Sequence, residues 1–391
     1  MLTSQGFHTF LMALKLSMRS RNSLLNDFKN YEKETGLIRV RPMKNQCGNI
    51  IPNCHIVEYT QKNSGISFLI IHNVYSTDFP YVVKAIINPK ILSGTADYVT
   101  AATSEIMQKV IITFNREVRK ISHVLKNFYY YTLQRIDYCI NFDVKELGLG
   151  CSPEQMIKLI KQADIPPHFS ERVEYNTTSH RRKTDNFSFY LQCKSVVVNC
   201  YWKHWQLFNE YPDCPDLNRS YNVIRFEIQC KYAKVYNMSK LLEISQGYWK
   251  VIDEMFSDSL ASQVLTRYFN KIIGAGNYYT LDAARKMILR RNFKLQKEHR
   301  LISTLEFVNS MRGIANAKSA LKNADNSDEF NRSLRELNEL GINPVTIPKD
   351  WGIKTIPNLL CTYYNKLSNL HFDALQEERL MEMLKEYLPS K

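Results

Sequence analysis

The sequence predicts an α+β chain, a largely antiparallel sheet followed by a mostly helical C-terminal part, and three observations carry that prediction. Six β-rich runs crowd the first 236 residues: 'HIVEYT', 'GISFLIIHNV', 'YVVKAIINP', 'FYYYTLQRIDYCINF', 'SFYLQCKSVVVNCYW' and 'NVIRFEIQC'. Two helical patterns, at about 103–126 and 152–163, interrupt them. Beyond residue 236 the alternation stops and helical periodicity takes over. A chain of 391 residues with 44% hydrophobic content can bury a sizeable core, and the change of texture divides it into two domains, 1–236 and 237–391.

The elements follow in order. 'GFHTFLMALKLSM' is too short to span a bilayer and carries His8 and Lys15, so it reads as part of a soluble, unexported, cytoplasmic protein with no membrane partner. 'CGNIIPNCH' offers Cys47, Cys54 and His55, but its spacing and the lack of a second ligand pair make a poor zinc match. The nine cysteines are odd in number and sit mostly in apolar runs, the pattern of reduced thiols. 'RIDYCINF' places Arg135, Asp137, Cys139 and Asn141 on one face and Ile136, Tyr138, Ile140 and Phe142 on the other. Ser152 and Pro153 then start a helix, as N-cap and first-turn residue.

'VVVNCYWKHWQL' is β-branched until Tyr201. Val196, Val198, Cys200 and Trp202 share one face; Val197, Asn199, Tyr201 and Lys203 share the more polar one. His204 reads as a strand-end or helix-start residue. 'RFEIQC' sets Arg225, Glu227 and Gln229 opposite Phe226, Ile228 and Cys230, so this strand and the one bearing Asp137 each aim a carboxylate outward. Side by side, Asp137 and Glu227 form the oxygen-rich environment that Mg²⁺ or Mn²⁺ prefers; apart from a metal, they are cross-strand partners for the arginines. No Walker or dinucleotide glycine loop is present, so no nucleotide cofactor is expected.

The helical half is basic where it matters. Between Leu281 and Arg300 lie Arg285, Lys286, Arg290, Arg291, Lys294, Lys297 and Arg300, on a helical pattern that turns Leu281, Ala284, Ile288 and Leu289 inward. Such a strip suits DNA phosphates or plain solvent. 'NSDEFNRSLRELNELGINPVTIP' reads as a capped helix ending at Gly341, a succession compatible with a helix-turn-helix or winged element. Over the whole chain, 52 Lys and Arg against 38 Asp and Glu leave a formal charge of +14, which favours a polyanionic partner.

A carboxylate pair fit for a divalent ion, a polar-face tyrosine and a basic chain are together the parts needed to attack a phosphodiester. In their order along the chain they resemble the rolling-circle replication initiators of plasmids and gene II-type phages, in the branch without the paired-histidine motif. The matching segments are 'IINPKIL' at 86–92, 'RIDYCINF' at 135–142, 'FYLQCKSVVVNCYWK' at 189–203 and 'VIRFEIQCK' at 223–231. The resemblance implies a metal-dependent nickase in which Tyr201 is the nucleophile, Asp137 and Glu227 hold the ion, and Lys203, Arg135 and Arg225 place or neutralise the phosphate. It also implies single- and double-stranded origin DNA as partner. With no ATP site visible, unwinding would require a separate host helicase, and the oligomeric state, a homodimer among the options, stays open. Asn141 and Gln229 stand where some relatives carry further acids, and Gln192 where a glycine is usual. Two other readings stay open: a non-enzymatic DNA-binding initiator or repressor, and an RNA-binding sheet presenting 'FYYY' at 128–131.

Overall fold

A computed structural model of the chain describes residues 3–45, 47–60, 64–95, 97–171, 187–246, 251–322 and 327–368. Among them ten strands form one sheet: β1 (Ser4–Leu16), β2 (Ile38–Lys44), β3 (Ile50–Tyr59), β4 (Ile66–His72), β5 (Tyr81–Ile87), β6 (Thr132–Asp143), β7 (Ser170–Glu171), β8 (Ser188–Gln192), β9 (Val196–Trp202) and β10 (Val223–Cys230). Their spatial order is β2-β3-β4-β5-β1-β6-β10-β9-β8-β7, with antiparallel pairing throughout. The N-terminal run that looked merely apolar is thus β1, a central strand between β5 and β6. Its alternation is hard to read because the pairing with β6 shifts between Phe7 and Thr9 and again between Leu11 and Met12.

Helices α1 (Met18–Thr35), α2 (Pro89–Leu92), α3 (Met107–Ile121), α4 (Pro153–Ile160) and α5 (Lys203–Glu210) interleave with the strands. The capping box at Ser152 and Gln155 starts α4 as the sequence predicts. Then come α6 (Tyr232–Gln246), α7 (Val251–Met255) and α8 (Asp258–Ile272). These helices roof the apolar sheet face. Phe269 of α8 meets Phe226 at 5.3 Å and Phe142 at 5.9 Å, Phe256 meets Phe10 at 4.8 Å, and the buried Tyr138 hydroxyl donates to the Met255 carbonyl at 2.7 Å. One apolar cluster runs from Phe7 on β1 to Tyr363. Cutting the chain near 245 would therefore strip the cover from Phe142 and Phe226.

The remaining elements are β11 (Asn277–Thr280), α9 (Leu281–Leu289), α10 (Leu295–Ser310), α11 (Ile314–Ala320), α12 (Ser327–Glu339), β12 (Ile342–Ile347) and β13 (Thr355–Ile356). β11 pairs parallel with β12 and antiparallel with β13, and Gly341, at φ 75°, ends α12 ahead of β12. The basic strip expected as one helix over 281–300 is two, because the chain turns at 290–294, where Asn292 takes a left-handed φ of 51°. Leu289, expected inward, is exposed at that turn. Among the described residues no helix is long and apolar enough to cross a membrane.

Candidate active site

The polar face of the central strands gathers the residues that the sequence singles out. On β6 and β10, Glu227 stands opposite Cys139, Gln229 opposite Asp137 and Arg225 opposite Asn141. On β10 and β9, Arg225 stands opposite Tyr201 and Glu227 opposite Asn199. Asp137 and Glu227 are thus diagonal neighbours on adjacent strands, within side-chain reach.

This face is not exposed, as the outward carboxylates led us to expect. Asp137 is 2% and Glu227 6% accessible. The segment 97–102 lies across the strand ends: the Val99 carbonyl accepts from Arg225 Nη2 and Asn141 Nδ2, both at 2.6 Å, while Phe7 and Ala102 exchange backbone hydrogen bonds. Asn141 spends its oxygen on Arg225 Nε at 2.8 Å.

Glu227 is the hub. Its Oε1 accepts from Asn199 Nδ2 at 3.2 Å, and its Oε2 lies 3.5 Å from both the Tyr201 hydroxyl and His8 Nδ1. His8 joins this cluster, where sequence reasoning did not place it. It sits at a bulge in β1, where the pairing with β6 skips from Phe7 to Thr9, and the extra residue faces the polar side. Loss of solvent around the ring and the charges of Arg225, Lys203 and Arg135 drive its pKa well below the usual value.

The other ionisable groups are perturbed in ways their surroundings explain. Burial raises the Asp137 pKa and the neighbouring Glu227 charge adds to it, against the pull of Arg135, whose Nη2 lies 3.1 Å from Asp137 Oδ2. The Tyr201 phenol is pushed well above its ordinary value, first by burial and then by Glu227, with Arg225 opposing. Lys203 starts α5 with its Nζ donating to Gln206 Oε1 at 2.7 Å and 6.0 Å from the Tyr201 ring centre. Burial and then Arg225 bring its pKa down to about 7. Between that value and the 10.5 of an exposed lysine, the unfolded chain binds more protons than the folded one. Stability therefore rises with pH across this window. Lys203→Met should remove the rise, read as the denaturation midpoint at about pH 7 and about pH 10.

Four buried polar atoms on this face have no hydrogen-bond partner: Asp137 Oδ1, Asn199 Oδ1, Arg135 Nε and Arg225 Nη1. Such orphans are costly unless something else satisfies them. Two are hard oxygens and two are cationic donors, a set that suits a divalent ion beside an anionic oxygen. Among the described residues no three His, Cys, Asp or Glu side chains gather as a metal cluster. The donor set is instead two carboxylates with an amide oxygen, which fits an ion that keeps several waters, as Mg²⁺ does. A cleft of about 290 Å³ adjoins the face, lined by His8, Asn88, Lys90, Asp97, Lys203 and Gln206 among others. Asn88 and Lys90 come from the 'IINPKIL' segment, where Asn88 caps α2. Tyr190 pairs opposite Asn199 and shares the polar face.

The basic residues divide into two groups. Arg285 pairs with Glu306, while Arg300 reaches Glu336 at 2.8 Å and Lys297 reaches it at 3.4 Å, contacts that tie α9 to α10 and α10 to α12. Lys286, Arg290, Arg291 and Lys294 are exposed at and before the α9–α10 turn. His204 lies in the first turn of α5 with Nδ1 2.9 Å from the Leu217 carbonyl. In 'FYYY', Phe128 and Tyr131 are buried while Tyr129 and Tyr130 are exposed on a 3₁₀ turn.

No family model and no curated protein matches the sequence. Among solved structures the chain is similar to a rolling circle replication initiator protein from Geobacillus stearothermophilus, at 10% identity over 62% of this chain and 80% of that one, with a TM-score of 0.30. A likeness of that size carries no argument about activity.

Proposed function

We propose that the chain is a replication initiator that nicks and rejoins DNA at a rolling-circle origin through a 5′-phosphotyrosyl intermediate. The observation that carries this reading is the meeting of the Tyr201 hydroxyl with Glu227, beside an Asp137 oxygen and an Arg225 nitrogen that have no partner of their own. Asp137 and Glu227, with the Asn199 amide oxygen, would hold Mg²⁺ or Mn²⁺. A bound ion would polarise a phosphate oxygen and offset charge on the departing 3′-oxygen. Glu227 Oε2 stands ready to take the phenolic proton as the tyrosine oxygen bonds to phosphorus and the bond to the 3′-oxygen breaks. Arg225 and Arg135 would orient the anionic phosphate, and Lys203, poised near neutral pH, would supply a proton to the leaving oxygen. Because Tyr201 is 7% exposed, the segment 97–102 or α5 must shift for a DNA strand to reach it.

That same burial favours the rival, a DNA-binding initiator whose sheet is purely structural. One experiment separates them. Supercoiled plasmid bearing the chain's own gene is incubated with the protein and Mg²⁺ or Mn²⁺; a nicked product with protein attached supports the nickase, and duplex binding without nicking supports the rival.

Residues 237–391 would carry origin recognition, with a host helicase supplying unwinding and a homodimer engaging the site. Neutralising Arg290, Arg291 and Lys294 together should flatten the log–log salt dependence of duplex binding by up to about three units, since each phosphate contact contributes roughly 0.9. An unchanged slope from a salt titration would assign the α9–α10 turn to solvent. The same change at Arg285 or Arg300 should chiefly lower stability, because those residues already hold Glu306 and Glu336.

A further inference from the structure

We infer that the outer side of α5 and the adjoining rings form a stacking platform for unpaired DNA bases next to the phosphate that Tyr201 would attack, an inference that rests on the nicking reading for its substrate. A ladder of rings runs along this surface. Phe208 stacks on Trp205 at 6.1 Å and 21°, Trp205 meets Phe187 at 4.6 Å, Phe187 meets Trp202 at 5.4 Å, and Trp202 meets Tyr221 at 5.6 Å. Trp202 is anchored from behind, its Nε1 donating to the Tyr221 carbonyl at 2.6 Å. The outer rings are open: Trp205 is 37%, Phe208 51% and Tyr221 55% exposed.

Their place in the fold points to the substrate. α5 begins directly after β9, and its other side sends Lys203, Gln206, Leu207 and Glu210 into the cleft that His8 also lines. Only the width of one helix, about 10 Å, separates the ladder from that cleft. Successive flat rings accept any base, because every base has a π-face, and the chain's net charge of +14 draws the backbone that carries the bases. A second copy of the chain fits less well. Three rings about half exposed offer on the order of 300 Å², against the roughly 800 Å² per partner of a stable protein interface.

The test uses the full-length chain and one labelled oligonucleotide, as single strand and as duplex, in a fluorescence-anisotropy titration. Trp205→Ala with Phe208→Ala should weaken single-strand binding about tenfold or more and leave duplex binding unchanged. Trp205→Phe with Phe208→Tyr should keep the affinity, and Trp205→Leu with Phe208→Leu, which retains apolar bulk without a ring, should not. Unchanged single-strand affinity in the alanine pair, its rescue by the leucine pair, or equal losses on single strand and duplex would overturn the platform. So would a wild-type dimer that falls apart in the alanine pair by sedimentation, since the patch would then serve a second copy. The nicking reading fails separately: if the wild type forms no covalent adduct while the alanine pair still loses single-strand affinity, the platform stands without it.

Discussion

Tyr201→Phe should eliminate the covalent DNA adduct, lowering its rate of formation by at least about a thousandfold, while duplex binding stays at the wild-type level. The substitution removes one oxygen and keeps the ring, so packing against the sheet survives. Glu227, the hydroxyl's partner, keeps Asn199 and His8. The loss would therefore be chemical rather than structural, and a denaturation midpoint close to wild type would establish that. The measurement is a gel assay for protein-linked oligonucleotide after incubation with Mg²⁺. An adduct formed at the wild-type rate would remove Tyr201 from the mechanism and direct attention to Tyr190, which faces the same side one strand away.

Much of this site is legible in the sequence, and the missing parts are missing for physical reasons. Alternation in 'RIDYCINF' and 'RFEIQC' is enough to separate Asp137 and Glu227 from Ile136 and Phe226, because successive side chains in a strand point to opposite faces. Which residues stand opposite one another is a different kind of information. Nothing local says that Arg225 faces Tyr201 or that Glu227 faces Asn199; register is set by the whole sheet. His8 is hidden because a bulge in β1 breaks the period that would give its face. The covering segment 97–102 has no helical or strand pattern to announce it. It can lie close because residue 6 is glycine, where an added Cβ would sit 1.8 Å from the Ala102 carbonyl oxygen. The basic strip errs in the opposite direction: Leu289 fits the apolar periodicity, yet it is the last residue of α9 and is exposed where the chain turns. The stop signal that Asn292 offers, a residue type that tolerates the left-handed conformation it adopts, passes unnoticed.

Asp137→Asn and Glu227→Gln should each cut nicking by two or more orders of magnitude, since each keeps the side chain's shape and removes an anionic oxygen suited to a divalent ion. Their effect on folding should run the other way, or be absent. Burial raises the Asp137 pKa first and the Glu227 charge adds to it. The repulsion between the two is a cost to the folded chain wherever both are ionised, offset in part by the pull of Glu227 on Arg225 and Lys203. Neutralising Glu227 relieves that repulsion. Neutralising Asp137 does so as well, but each change also has a cost. Asp137→Asn leaves Arg135 Nη2 facing an amide and Glu227→Gln removes an anion near the buried Arg225 and Lys203, so the net gain should be small in both. The expected signature is a variant that loses nicking without losing stability. Nicking rates with titrated Mg²⁺ and Mn²⁺, beside denaturation midpoints in the absence of metal, measure both halves. Full activity of either variant in EDTA, or a midpoint well below wild type for Glu227→Gln, would return the two carboxylates to the role of ordinary cross-strand partners for the arginines.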